Sequence, residues 1–397
     1  MVSASVSGTA SRAAAMVLLA LTIVAGVAMP AAARKPSAGL GLPPDAVSAP
    51  DPVRVALGRR LFMDRRLSPN DTMSCAMCHV PEQGFAVNEI ATAVGLEGRS
   101  LKRNAPTLLN VGLQRTLFHD GRSPSLEDQV WGPLLAREEM GNGTKAAAVR
   151  RVARIPGYRQ RFRKAFPDRG LTAGTLAAAL AAYERSLVAA DSPFDRFRYG
   201  GDPDTLSPAA LRGLAVFEGK AGCASCHRVD GDHASLTDHA FHDTGIGSLS
   251  RARRKQGYAV QLAPGEFTSL RHEEVVAAFG NDDADDGRQE HTRRLEDRDR
   301  FKTPSLRNVA LTAPYMHDGS IATLEEVIDH YDRGGSGHAG QDPRIRPLGL
   351  TNAEKSDLVA FLHALTSPHV TTLAAEARAD ASTPVFRALP SPRPKKR

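Results

Sequence analysis

The chain has 397 residues and a small excess of positive charge, with 51 Lys and Arg against 44 Asp and Glu, which gives a formal net charge of +7. The length fits two domains better than one. Because the excess is small and no nucleic-acid-binding motif accompanies it, the composition argues against a nucleic-acid-binding protein. We therefore expect no nucleic-acid partner.

Residues 1–33 have the pattern of a secretory signal peptide. Arg12 precedes an apolar run over residues 16–28, and the small residues that follow offer a cleavage site. The run is short for the hydrocarbon core of a bilayer, so a cleaved signal is favoured over the alternative of an uncleaved anchor. The pattern predicts a periplasmic protein without a stable membrane span, with a linker over residues 34–51.

Two copies of the pattern Cys-x-x-Cys-His use all four cysteines: Cys75, Cys78 and His79 form the first copy, and Cys223, Cys226 and His227 form the second. Two thiols one helical turn apart can add to the vinyl groups of a haem, and the adjacent imidazole can bind its iron. The alternatives are a zinc site, a thioredoxin-like redox pair and structural disulfides. A zinc site does not require the adjacent histidine twice, and no βαβ pattern surrounds either copy. We therefore predict two covalently bound c-type haems.

The two halves of the chain repeat each other downstream of these motifs. The matching segments are 106–113 with 304–311, 119–121 with 317–319, and 126–128 with 324–326. The offset is the same each time, because 304 − 106, 317 − 119 and 324 − 126 all equal 198. Ungapped self-similarity of this length indicates the duplication of one mono-haem unit.

The elements predicted along the chain are helices and loops. An amphipathic helix begins before each haem motif, at Pro52 and at Pro208, and residues 172–190 form an Ala- and Leu-rich helix. Thr351 and Glu354 form the capping box of another helix. No alternating strand of convincing length is present, so we predict a mostly α fold.

The domain organisation follows from the repeat. We predict two cytochrome c-like haem domains from an internal duplication, at residues 52–200 and 205–369, joined where glycines and a proline break the helix. The second domain carries an insert at residues 248–300. The Pro-rich, basic tail over residues 370–397 is predicted to be disordered.

The sixth coordination position decides whether a haem iron carries electrons or binds a reactant. Fourteen residues after the aligned histidines, Tyr331 (317 + 14) stands opposite Pro133 (119 + 14). If both project over their haem, the first haem is open and the second is closed by Tyr331. The alternatives are that Tyr331 is a buried core tyrosine, or that His330 or Met316 is the ligand.

Carboxyl groups near Pro133 could serve peroxide cleavage, which needs a base and then an acid. A carboxyl group in an apolar pocket, its pKa raised by desolvation, can do both. Glu138 and Glu139 are the nearest in sequence, and Gln129 could donate a hydrogen bond. The alternative is that both glutamates are exposed at a helix end.

These residues lie in a stretch that resembles the bacterial di-haem cytochrome c peroxidase/MauG family over about residues 52–368, apart from the insert. The characteristic segments are 61–68, 103–107, 119–122 and 306–315. The resemblance implies that the first haem is peroxidatic and the second transfers electrons. It also implies that Gln129, Pro133 and Glu139 line the peroxide pocket.

The same resemblance implies a calcium ion between the haems, bound through oxygens of Asn104, Thr312 and Pro314, which suits a hard cation. His119 stands where many members place a tryptophan between the haems. Two further departures are that no histidine occurs between Val80 and Lys102, where reductively activated peroxidases carry a distal histidine, and that Tyr331 replaces their methionine. Tyr331 and segment 241–245 are similar to the MauG-like branch.

We therefore expect a periplasmic di-haem enzyme that reduces hydrogen peroxide to water at the His79 haem. Its electrons would pass through the His227/Tyr331 haem from a small donor protein, a cytochrome c or blue copper protein, or from an oxidisable substrate. One alternative is a MauG-like oxidase that stores two oxidising equivalents and modifies a protein or organic substrate. The other is a di-haem electron-transfer cytochrome without chemistry of its own. The sequence leaves open whether the chain forms a homodimer.

Overall fold

The computed structural model describes residues 39–44, 50–263, 265–271, 273–274 and 285–379. The predicted signal peptide, most of the predicted linker and residues 380–397 of the predicted tail lie outside this part of the chain. Every helix in the described residues is too short or too polar to cross a membrane.

The described part of the chain is mostly helical, as predicted. Its first half contains α1 (Pro52–Met63), α2 (Cys75–Cys78), α3 (Leu126–Gln129), α4 (Trp131–Leu135), α5 (Lys145–Arg154), α6 (Tyr158–Ala165) and α7 (Ala173–Ser186). Its second half contains α8 (Pro193–Gly200), α9 (Pro208–Glu218), α10 (Ile246–Gln256), α11 (Gln289–Thr292), α12 (Leu324–Asp332), α13 (Asn352–His363) and α14 (His369–Ala379). The short strands are β1 (Phe241–His242), β2 (Tyr258–Ala263), β3 (Glu266–Leu270) and β4 (Phe301–Lys302), with β1 antiparallel to β4 and β2 antiparallel to β3.

The same crossing of two helices builds the core of each half. In the first half, Gly58 of α1 lies against the backbone of α7, where a Cβ atom would be 1.9 Å from the Ala179 carbonyl oxygen. In the second half, Gly213 of α9 meets α13, and a Cβ atom would again be 1.9 Å from a carbonyl oxygen, that of Asp357. Each pair of helices is therefore held at backbone contact by one glycine.

We expect Gly58→Ala to destabilise the protein, because the added methyl group would have to push α1 away from α7. Overpacking of this kind costs about 1–3 kcal/mol or more, which urea unfolding of the haem-loaded protein would measure. Gly174→Ala is the matched control, since its Cβ atom would meet its nearest neighbour at 3.9 Å. Equal unfolding midpoints for the two variants would contradict the proposed backbone contact.

Backbone features recur at the offset of 198 and support the predicted duplication. The equivalent pairs are Asn110 (φ 58°) with Asn308 (φ 62°), Phe118 (φ 65°) with Met316 (φ 74°), and the one-turn helices Val111–Leu113 and Val309–Leu311. Positive φ is uncommon outside glycine. Its recurrence at both pairs therefore indicates that the two segments share one backbone conformation.

The duplicated segments meet at a junction with approximate two-fold symmetry. The Asn104 amide donates to the carbonyl oxygen of His317 at 2.7 Å, and the Lys302 amide donates to the carbonyl oxygen of His119 at 2.7 Å. Because 302 − 104 and 317 − 119 both equal 198, these two hydrogen bonds are equivalent under the repeat. The junction places the segments that follow each haem motif side by side.

The two hydrophobic cores divide the chain at a different residue from the predicted domain boundary. Phe194 of α8, predicted in the first domain, is fully buried in the second core, so the division lies near residue 190. The prediction of disorder from residue 370 is wrong for residues 370–379, because α14 packs Val370 and Ala377 into the first core. Val370, Ala374 and Ala377 have the spacing of one helix face, which is the signal that was overlooked.

The insert contains an antiparallel hairpin, β2–β3, although no strand of this length was predicted. Ion pairs connect the C-terminal part of the insert to the junction between the two halves. Arg103 contacts Asp120 at 2.7 Å and Asp285 of the insert at 2.6 Å. Both aspartates are buried, so the insert supplies a counter-charge to an arginine of the first half.

Candidate functional site

The first haem motif forms a single helical turn. Cys75 and Cys78 are the ends of α2, and the His79 amide donates to the carbonyl oxygen of Cys75 at 2.9 Å. The His79 Nδ1 atom lies 3.2 Å from the carbonyl oxygen of Phe85 and must donate to it, since a carbonyl only accepts. This hydrogen bond fixes the ring and leaves Nε2 available as a metal ligand.

The second motif repeats this arrangement. Cys223 opens a one-turn 3₁₀ helix, and the His227 amide donates to the carbonyl oxygen of Cys223 at 2.9 Å. The His227 Nδ1 atom donates to the carbonyl oxygen of Leu236 at 2.9 Å. The second imidazole is thus oriented by the same kind of backbone contact as the first.

The protonation states at both motifs fit covalent haem attachment. All four cysteines are free of disulfide bonds. Burial raises the pKa of Cys78 to about 11 and that of Cys223 to about 12, so both are protonated thiols at neutral pH. Burial lowers the pKa of His79 to about 4 and lowers that of His227, so both rings are neutral and able to bind iron.

Tyr331 lies in α12 beside the second motif. Burial raises its pKa, and the Cys223 and Cys226 thiols add to the shift, which places the phenol within electrostatic reach of both cysteines. Its hydroxyl group forms no hydrogen bond with any described residue. His330, a rival ligand, is fully buried, and its Nε2 and Nδ1 atoms already contact Thr244 O at 2.9 Å and Arg333 Nη2 at 3.4 Å.

The corresponding element of the first half is broken into two short helices. Gln129 ends α3 and Pro133 lies within α4, both half-buried. The carbonyl oxygen of Pro133 accepts from the Met140 amide at 3.0 Å, which turns the chain back and brings Glu139 beside this helix. The proline ring offers no ligand atom where the second half carries Tyr331, and Gln129 forms no side-chain hydrogen bond with the described residues.

The two candidate glutamates differ in their exposure to solvent. Glu138 is exposed and Glu139 is half-buried. Burial raises the pKa of Glu139 to about 7, Arg122 opposes this shift, and Glu138 adds to it. After burial, the charge of Glu139 is the next cause of the raised pKa of Cys78, so the carboxyl group lies near the first haem attachment point.

The backbone of Glu138 and Glu139 is held in position by contacts with a segment that is distant in sequence. The Leu96 amide donates to the carbonyl oxygen of Glu139 at 2.9 Å. A Cβ atom on Gly95 would lie 1.8 Å from the carbonyl oxygen of Glu138, so glycine is required for this approach. Arg122, which lowers the pKa of Glu139 and was not predicted to do so, stacks 3.5 Å above the Phe118 ring and pairs with Asp120.

His119 lies at the junction of the two halves. Its Nε2 atom donates to the backbone carbonyl of Asn104 at 3.0 Å. Burial lowers the pKa of His119 to about 4, while the bond to Asn104 opposes the shift and Arg103 and His317 add to it. His119 is therefore a neutral ring beside His317, its equivalent in the repeat, which stacks on Phe301 at 3.6 Å.

The predicted calcium ligands are engaged in separate local contacts. The Asn104 side-chain amide donates to the carbonyl oxygen of Ala91 at 2.8 Å, and the Thr312 hydroxyl donates to the carbonyl oxygen of Val309 at 3.1 Å. Among the described residues, no hydrogen bond joins Asn104 to Thr312 or Pro314. Calcium binding here therefore remains a prediction.

Sequence reasoning missed another carboxyl group near the first haem motif, the buried Glu184 of α7. Its side chain is 5% exposed, and its Oε2 atom has no hydrogen-bond partner in the described part of the chain. After burial, its charge is the next cause of the raised pKa of Cys75, so it also lies near the first motif. Leu176, Leu180 and Glu184 follow one another at intervals of four, which was the available signal that Glu184 continues a buried helix face.

We expect Glu184→Gln to stabilise the protein at alkaline pH. Burial raises the pKa of Glu184 from 4.5 to about 8, so the folded state keeps a proton that the unfolded state releases. Wild-type stability should therefore fall as pH rises from 4.5 to about 8, and the variant should lose this slope, gaining on the order of a few kcal/mol near pH 8.

Chemical unfolding of wild type and variant at several pH values measures this effect. Glu218→Gln, at the exposed end of α9, is the control and should retain the wild-type slope. A Glu184→Gln protein with the same pH slope as wild type would contradict the assignment of the bound proton to Glu184.

Comparisons with known proteins identify the family of the chain. The di-haem cytochrome c peroxidase family matches residues 52–203. The chain is 36% identical over 315 residues to the methylamine utilization protein MauG of Methylorubrum extorquens, covering 79% of this chain and 78% of that protein. It is 36% identical over 337 residues to the cytochrome-c peroxidase IdrP1 of Denitromonas iodatirespirans, covering 82% of this chain and 85% of that protein.

A solved structure extends the likeness to the fold. A MauG-like protein associated with microbial copper homeostasis matches with a TM-score of 0.68 and 32% identity, covering 89% of this chain and 99% of that chain. The predicted fold of two cytochrome c-like haem domains is thereby confirmed, and the chain belongs to the di-haem cytochrome c peroxidase/MauG family.

Proposed function

We propose that the protein reduces hydrogen peroxide to water at the haem held by His79, with electrons relayed through the haem held by His227. The observation that carries this proposal is the asymmetry between equivalent positions. Pro133 offers no ligand atom at its position in the first half, whereas Tyr331, at the equivalent position of the second half, has a hydroxyl without a hydrogen-bond partner among the described residues and interacts electrostatically with Cys223 and Cys226. One site is left accessible to a reactant and the other has a sixth ligand.

In this reaction one hydrogen peroxide, two protons and two electrons yield two waters. Residues of the chain would accept and donate the protons. A bound c-type haem supplies a redox-active iron at each site. Glu139, with its pKa near 7, would take the proton of the peroxide oxygen nearer the iron and return it to the departing oxygen. Gln129 would orient the peroxide, and the neutral His119 ring lies on the path between the two halves.

The remaining parts of the proposal concern location and partners. The N-terminal sequence supports export to the periplasm through a cleaved signal peptide. The relatives named cytochrome-c peroxidases support a small cytochrome c as the electron donor, and a blue copper protein is the alternative donor. A donor of this kind would deliver one electron at a time to the His227 haem.

Two measurements on the haem-loaded protein test this function. Electron paramagnetic resonance of the resting oxidised protein should show one high-spin and one low-spin haem, because the chain has no distal histidine over residues 80–102. Steady-state turnover should consume two reduced donor molecules per hydrogen peroxide. Two low-spin haems without peroxide turnover would contradict the proposal and favour an electron-transfer cytochrome.

A MauG-like oxidase is the second candidate, and Tyr331 favours it. The relative in Methylorubrum extorquens carries the name MauG, and the matched solved structure is titled MauG-like. This candidate predicts that peroxide-treated protein keeps its oxidising equivalents until an oxidisable protein or organic substrate is added. Rapid steady turnover with a reduced donor protein alone would favour the peroxidase.

A further inference from the structure

A basic cleft lies on the first half of the molecule, outside the sites described above. It has a volume of about 510 Å³ and lies between α5 and the loop that precedes the first haem motif. The side chains that line it are Arg66, Asp71, Ala147, Arg150, Arg151, Arg154, Ile155 and Pro156. Four guanidinium groups and one carboxylate therefore surround the cleft.

Two of the four arginines have no partner among the residues that the structure describes. Arg150 and Arg154 are exposed and form neither an ion pair nor a hydrogen bond with any residue that the structure describes. Arg151 contacts neutral acceptors, the Asn142 side-chain oxygen at 3.1 Å and the Pro69 carbonyl at 3.4 Å, so its charge is not neutralised. Arg66 is paired with Asp64 at 2.6 Å.

The residues around the cleft carry a high density of positive charge. Residues 145–169 contain nine Lys and Arg and one acidic residue, Asp168, a net charge of +8. The whole chain carries +7, so the other residues together carry 7 − 8 = −1. Segment 145–169, which contains α5 and α6, is therefore a concentrated region of positive charge, and the cleft is its concave part.

We propose that this cleft binds a small polyvalent oxyanion, of the class of inorganic and organic phosphates and polycarboxylates. The planar guanidinium group matches phosphate and carboxylate oxygens in bidentate geometry. Several arginines that converge on one concavity favour an anion with more than one charge. The volume accommodates a ligand of the size of pyrophosphate and several bound waters.

The cleft is joined to the first haem site through Arg151. The Asn142 side chain, which accepts from Arg151, donates to the carbonyl oxygens of Leu67 and Leu134 at 2.8 and 3.0 Å. Leu67 belongs to the loop that leads to Cys75, and Asn142 follows Glu139 by three residues. An anion that contacts Arg151 would therefore be linked, through the Asn142 side chain, to the backbone of Leu67 and Leu134 near the first motif and its carboxyl group.

Calorimetric titration of the haem-loaded protein with pyrophosphate tests the site. We expect saturable binding, and we expect Arg150→Gln/Arg154→Gln to weaken it ~10-fold or more, because hydrogen bonds to charged groups are lost. Arg161→Gln/Arg163→Gln removes the same charge from exposed positions of α6 outside the cleft and should change affinity less than about twofold. Sodium chloride at matched ionic strength should give no saturable binding.

Several results would overturn the proposal. Equal weakening in the two double variants would mean diffuse attraction by the whole basic surface, and absence of saturable pyrophosphate binding would mean no site. Vesicles containing phosphatidylglycerol distinguish a lipid headgroup from a free anion. If vesicles bound through Arg150 and Arg154 while pyrophosphate did not, the free-anion site would be wrong. Haem absorption and thermal unfolding confirm that each variant is folded.

Discussion

Replacing Glu139 by glutamine is expected to lower the rate of peroxide reduction by about 10²–10⁴-fold while both haems remain attached. Glutamine has nearly the shape of glutamate but cannot accept and return a proton. Glu139 is half-buried near Cys78, and its burial raises its pKa to about 7. A carboxyl group with this pKa can exchange a proton in both directions near neutral pH, which an exposed glutamate would do poorly.

The same residue sets a pH dependence with a definite sign. Glu139 must be deprotonated to accept the first proton, so kcat/KM of the wild type should fall as pH decreases through about 7. The residual activity of Glu139→Gln should lack this acidic limb. Steady-state assays with a reduced donor over roughly pH 5–9 would measure both curves.

Glu138→Gln is the matched control, because this neighbouring glutamate is exposed. It should keep the wild-type rate within a few-fold and keep the acidic limb, with a slightly lower midpoint since Glu138 contributes to the raised pKa of Glu139. A Glu139→Gln enzyme with nearly full activity would show that another group carries the proton. Glu184 would then be the next carboxyl group to test.

The haem motifs and the duplication could be predicted because both are patterns of residue identity in the sequence, which can be recognised without knowledge of contacts in the fold. Cys-x-x-Cys-His fits one turn of chain, and the offset of 198 aligns Pro133 with Tyr331 without knowledge of the fold. The structure confirms the mostly helical fold and the shared backbone of the two copies. The role of Tyr331 as an iron ligand stays a prediction, supported by its electrostatic interaction with Cys223 and Cys226.

Other features depend on contacts between residues that are far apart in sequence. Gly95 and Leu96, more than forty residues earlier, contact the backbone of Glu138 and Glu139. These contacts determine which of the two glutamate side chains is buried. The secondary-structure propensity of the two glutamates does not reveal which of them is buried. Glu184 was missed for a related reason, since a charged residue on an apolar helix face is recognised as buried only when its partner helix is known.

Replacing Tyr331 by phenylalanine is expected to remove one low-spin signal from the resonance spectrum of the oxidised protein. The phenol lies beside Cys223 and Cys226, and its hydroxyl has no hydrogen-bond partner in the described part of the chain, so an iron held by His227 is its natural partner. Loss of an anionic oxygen ligand should also raise the reduction potential of that haem. Since axial ligands tune haem potentials over about 0.8 V, we expect a shift on the order of 0.1 V.

Tyr199→Phe is the control for the loss of a phenol from the same half. The Tyr199 hydroxyl donates to the carbonyl oxygen of Asp230 at 3.0 Å, so its removal should leave both haem signals and both potentials unchanged. For Tyr331→Phe, the open position should also allow carbon monoxide to bind a second ferrous haem. Unchanged spectra and a single carbon monoxide site in Tyr331→Phe would show that another group closes the His227 haem. Since both His330 ring nitrogens are already engaged, Met316 would then be the ligand to test.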